Sequence, residues 1–163
     1  MKANDIIRTA IETADMIVRT YLDDLTDDEM MHRPDPKCNH INWQSGHLIL
    51  SDNEMLNSCR PDMLPALPQG FAERYAKEKA SLDDRSDFHS KAELFELAKV
   101  QRTELLRQLF DLTPQDLEIP APESIASYAP NLGAALSMIA IHWTMHSGQW
   151  AVIRRQLGRD VVI

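Results

Sequence analysis

The sequence predicts an all-α protein, a four-helix bundle with long loops at one end. Apolar residues recur at three- and four-residue spacing along four long stretches. Only five glycines occur, and no strand-like alternation rich in β-branched residues repeats. Prolines gather between the stretches, and one long connection separates the second from the third, which suits a bundle.

The first helix is expected from about Asn4 to Leu25. Ile7, Ala10, Ile11, Ala14, Ile17, Val18 and Tyr21 share its inner face, and Arg8, Glu12, Asp15 and Arg19 the outer one. A short turn of helix, capped by Thr26, follows up to Met31. Two prolines in HRPDPKCNH then break the pattern. The second helix runs from about Asn42 to Ser58. Its inner stripe is Trp43, Gly46, His47, Leu50, Ser51, Glu54 and Met55. That stripe is too polar for a plain packing face, because buried polar atoms need partners. Pro61, Pro65, Pro68 and Gly70 open the long connection, with a short helix around Phe71 to Glu78. Ser90 and Glu93 form a capping box that starts the third helix, which continues to about Leu112. Four prolines between Pro114 and Pro130 punctuate the next loop. Asn131 caps the fourth helix, which ends at Gly158 with Arg154 and Arg155 in its last turns, where cations suit the helix dipole.

A chain of this length fits a single domain spanning residues 1–163. Its net charge of −8, with no basic stripe, argues against a nucleic-acid partner. No apolar run approaches the roughly 20 residues that a membrane span needs. The N-terminus lacks a continuous apolar segment of the signal-peptide kind, and Cys38 and Cys59 form no paired motif. The cytoplasm is the expected location.

The fourth helix carries the most informative feature. His142 and His146 lie four residues apart in IAIHWTMHSGQW, one above the other on an apolar face. A buried imidazole needs a partner, and a metal ion is one. Zinc proteases use a related helix with a glutamate after the first histidine. Trp143 stands there, which disfavours that class. A reactive metal site uses three protein ligands. Alone, His47 reads as a core histidine bonded to Ser51 one turn on. Facing His142 and His146 from another inward helix face, it reads as the third ligand. His32, His40 and His89 lie in or beside loops, and Cys38 is a rival ligand in a loop. Glu54 is a candidate base, and Gln149 a candidate donor to a neighbour of the metal. The three tryptophans read as core or dimer contacts.

The segments INWQSGHL and HWTMHSGQW, with Trp43, Gly46, His47, His142, His146, Gly148 and Gln149, resemble the helix-two and helix-four motifs of the DinB-like family. The resemblance covers essentially the whole chain. It implies an up-down-down-up helix order, frequently a homodimer, and a divalent metal, commonly zinc or nickel, on His47, His142 and His146. It also implies a metal-dependent hydrolase, or an S-transferase with a low-molecular-weight thiol cosubstrate, acting on a small molecule. Relatives often carry an acidic residue after the first histidine of the pair, where this chain has Trp143. The rival is a non-catalytic metal-binding bundle, stress-related or structural. A structural zinc site is usually closed by four protein ligands, and three are placed here.

Overall fold

The computed structural model describes residues 2–160. It contains α1 (Ala3–Leu22), α2 (Ile41–Cys59), α3 (Phe71–Arg74), α4 (Lys91–Asp111), α5 (Pro114–Leu117), α6 (Glu123–Ala126) and α7 (Leu132–Gln156). Among the described residues there is no strand, only an isolated bridge between Pro120 and Asn131. The four long helices form the bundle. α7 packs on α1 and α2, and α4 packs on α2 and, more sparingly, on α1.

Side-chain bonds set the relative directions of the helices. Arg154 near the end of α7 donates to the Tyr21 carbonyl at the end of α1 and pairs with Asp24, so these two helices run together. Asn4 at the start of α1 donates to the carbonyls of Leu109 and Leu112 at the end of α4, so that pair runs oppositely. Between α2 and α7, Gln44 meets Trp150 and Asp52 meets Trp143, an antiparallel register. Arg154 does more than complement a helix dipole. It is only 1% exposed and also donates to the Asp160 carbonyl, tying the segment after α7 to α1.

The caps form where the residue types place them. Ser90 and Glu93 bond reciprocally at the start of α4, and the Asn131 side chain accepts from the Ala134 amide. Thr26 and Glu29 pair in the same reciprocal way ahead of the short turn Glu29–Met31. α1 ends at Leu22 rather than at Leu25. The Lys91 ammonium donates to the carbonyls of Leu22, Asp23 and Leu25, satisfying acceptors that a longer helix would have used internally. Ala10 is exposed and Ile17 half-buried, because both lie at the edge of the stripe centred on Ile7, Ile11, Ala14 and Val18.

α2 departs most from expectation. It is buried around nearly its whole circumference, not along one stripe. α4 and α7 cover two sides. The segment between α2 and α4 covers the third, inserting the fully buried Tyr75 ring against Gly46. Trp43 donates through its indole to the Ala76 carbonyl on that same side. The side turned toward α7 and α4 carries Gln44, Asp52 and Asn53, all buried.

His40 caps α2 in its neutral form. Its Nδ1 accepts from the Trp43 amide at 3.0 Å and its Nε2 donates to the Leu82 carbonyl at 3.1 Å, which leaves no place for a second ring proton. Burial, then Arg33, lowers its pKa from 6.5 to about 4. The stabilisation it supplies is therefore complete above 6.5 and is lost as pH falls through about 4. His40→Asn keeps a capping oxygen that does not titrate. The stability advantage of wild type over that variant should shrink between pH 7 and 4 in urea titrations. A difference that stays constant over that range would show that His40 does not titrate in this way.

Candidate metal centre

His47 lies in the second turn of α2, and His142 and His146 lie one turn apart on α7. The antiparallel packing of these helices brings the three rings together. One ring nitrogen from each lies within 4.8 Å of the other two. Ring centroids are 4.9 Å apart for His142 and His146, 5.6 Å for His47 and His142, and 6.1 Å for His47 and His146. The cluster is half-buried at His47 and His142 and buried at His146.

Electrostatics keep the rings neutral. Burial, and then the neighbouring imidazoles, lower His146 to about 4. Burial first, then His142 and Lys77, bring His47 to about 4. Burial lowers His142 as well. A neutral imidazole has a lone pair free for a cation, whereas an imidazolium has none. Three such nitrogens converging on one point could hold a divalent metal.

Two neighbours orient the rings. Trp43 stacks on His47, 4.8 Å between centroids and 5° between planes. Gln44 acts on His146. Its Oε1 accepts from Trp150 Nε1 at 2.9 Å and lies 2.8 Å from His146 Nδ1, while its Nε2 donates to the Asn39 carbonyl at 2.6 Å. With the amide nitrogen committed to a carbonyl, the oxygen must face His146. Nδ1 therefore carries the proton, and Nε2 keeps the lone pair. Such outer partners typically change metal affinity 10- to 100-fold. Gln44→Leu should weaken metal binding by roughly that factor in chelator competition. Gln44→Glu, which still accepts from both rings but loses the bond to the Asn39 carbonyl, should lose markedly less. Equal losses in the two variants would mean that Gln44 only packs.

His47 and His142 open onto a cavity of about 580 Å³. Its walls include Leu50, Met55 and Met138 from the long helices. Tyr75 and Lys77 come from the segment after α2, and Tyr128 from the loop before α7. Both long loops thus help shape the site. Glu54 lines this cavity, on an exposed position at its edge. Gln149 does not join the site. It is exposed, because it lies on the outer side of α7, and Gln44 holds the place beside His146. Nor does His47 bond to Ser51, its ring being stacked on Trp43. His40 caps a helix, His32 bonds to Gln156, His89 meets the Tyr75 hydroxyl, and Cys38 is exposed in its loop. The three tryptophans are core residues, and the Trp143 indole points away from the histidines to Asp52.

Sequence reasoning missed Gln44. Its partners lie 102 and 106 residues away, so only its place on a buried helix hinted at a role. No curated protein shows significant similarity to the chain. The family model described as the DinB superfamily matches residues 10–150, which include all three histidines and most of the bundle. The chain belongs to the DinB superfamily.

Proposed function

We propose that this protein is a metal-dependent enzyme acting on a small molecule, either a hydrolase or an S-transferase that uses a low-molecular-weight thiol. The observation that carries this reading is the convergence of His47, His142 and His146, the first two of which line a cavity large enough for a substrate. His47, His142 and His146 would hold the ion, and Gln44 and Trp43 would orient two of their rings. Imidazole ligands suit zinc or nickel. A divalent ion on three neutral histidines supplies a Lewis acid that lowers the pKa of a bound water or thiol. The apolar wall of Leu50, Met55 and Met138 would exclude water from one side of the substrate. Lys77 places positive charge near His47, suited to an anionic group on the substrate. Glu54, at the cavity's edge, is the available carboxylate base.

No described helix is long and apolar enough to cross a membrane. Both cysteines are free, which suits a reducing compartment, and the cytoplasm is the proposed location. A homodimer is part of the same proposal. With the tryptophans of α7 inside the core, its support is the exposed stripe of Ile141, Met145 and Val152 on that helix.

Cobalt substitution tests the centre. The visible spectrum of the cobalt protein should change when a small thiol or azide is added, and hydrolysis or thiol transfer should require the metal. A spectrum unmoved by either, with no turnover of ester, amide or thiol-acceptor substrates, would sink the enzyme reading.

A further inference from the structure

The bundle holds a second cavity, apart from the three histidines. It has a volume of about 200 Å³ and lies where α1 and α4 approach sparingly. Its walls are mainly apolar, with Val18 and Leu22 from α1, Ile49 from α2 and Leu105 from α4. Trp143 and Asp52 belong to the same lining.

Asp52 is the anomaly in this wall. It is only 5% exposed. Its Oδ2 accepts from Trp143 Nε1 at 2.7 Å and lies 3.7 Å from an Arg102 nitrogen. Its Oδ1 accepts nothing, and is the single buried side-chain oxygen or nitrogen without a partner among the described residues. Buried acceptors are almost always satisfied, so an orphan calls for a physical reason. Among the other polar residues of the lining, Arg19 and Lys99 pair with Asp23 and Glu96, and Thr103 is exposed. Ser45 donates to the Ile41 carbonyl, and Gln101 bonds to Asn53 and to the Pro65 carbonyl. Arg102 already answers the Asp52 charge and bonds to Asp15. Burial holds the Asp52 pKa up at about 6 against these two donors.

We propose that this cavity is a ligand site for a small, neutral, largely apolar molecule that carries one O–H or N–H donor, with Asp52 Oδ1 as the acceptor. The volume sets the size, since apolar cavities of about 150 Å³ admit a benzene ring. The apolar walls set the character. A water molecule needs two to four polar partners, and Asp52 Oδ1 is the one buried acceptor left open among the described residues. An ionic ligand is disfavoured, because the Asp52 and Arg102 charges already answer each other. The site is independent of any metal at His47, His142 and His146.

Phenol and toluene share a size and differ in the donor, so they are the probes. The readout is the indole N–H resonance of Trp143, identified by its loss in Trp143→Phe. Phenol should shift that resonance and saturate at one molecule per chain, at least tenfold more tightly than toluene or anisole. Asp52→Asn presents an amide that can donate to the ligand, so phenol and anisole should then bind alike. Ala98→Phe fills the mouth and should stop phenol binding while the helical circular-dichroism spectrum is kept. If that variant unfolds, Leu106→Trp serves the same purpose. Three outcomes would overturn the site. These are no phenol binding up to its solubility, phenol and toluene binding alike to wild type, or persistence of the Trp143 shift in a folded, filled variant.

Discussion

Substituting alanine for His47, His142 or His146 should strip the protein of its metal. Elemental analysis should fall from about one equivalent per chain to a small residue, because a three-ligand site cannot lose a ligand and keep its affinity. His47→Ala is the most telling of the three, since His47 alone comes from the other helix. Full metal content in that variant would show that α2 supplies no ligand. Acidification should act on the same site. Burial places the pKa of His47 and His146 near 4, below the 6.5 of a free imidazole, so the metal-free site stays largely unprotonated through mildly acidic pH. Proton competition for the metal should therefore begin lower than for an exposed histidine cluster. The metal-free fold follows the same sign. The neutral rings favour the folded state fully above 6.5, and that contribution disappears as pH falls through about 4.

Gly46→Ala should be the most damaging single-methyl addition near the site. A Cβ at Gly46 would stand 2.1 Å from two carbons of the Tyr75 ring, far inside contact distance. Tyr75 is wholly buried and cannot swing into solvent. Its hydroxyl accepts from the His89 amide and lies 3.4 Å from Asn42 Oδ1. An alanine in mid-helix would by itself stabilise by about 1 kcal/mol. Overpacking of this kind costs roughly 1–3 kcal/mol or more, so the expected net result is loss of stability. Urea unfolding measures it, and Gly46→Ala should cost far less in a Tyr75→Ala background than in the wild type, because the two residues share one contact. A Gly46→Ala protein as stable as wild type would show that Tyr75 does not pack on α2. The displaced ring also lines the histidine cavity, so metal affinity should fall along with stability.

The reach of sequence reasoning differs between the elements of this fold. α4 and α7 begin where Ser90 and Asn131 indicate, because a cap is a local bond between residues three apart. The inner face of α1 is legible for the same reason, since 3.6-residue periodicity survives wherever one face meets solvent. α2 is buried on all sides, which erases the periodicity. Its single expected stripe was in fact the face turned to the histidine cavity and to Tyr75. Gln149 was a reasonable candidate by its nearness in sequence to His146. Gln44 holds that place instead, through an interhelical bond that no spacing encodes.

The histidines show the division most clearly. Local spacing alone puts His142 and His146 on one face of one helix, because the backbone geometry of an α-helix is the same wherever it forms. The composition and the helical periods likewise determine an all-α protein of four long helices. The meeting of His47 with that pair, within 4.8 Å, depends on the antiparallel contact of α2 with α7. The proton on His146 Nδ1 depends on Gln44, and the setting of Asp52, with one oxygen unpartnered, on the packing of α2 against Trp143 of α7 and Arg102 of α4. Bonds within one turn follow from residue order. Contacts between residues a hundred positions apart are chosen by the packing of whole helices, whose apolar faces accept many neighbours and whose few buried polar atoms accept few.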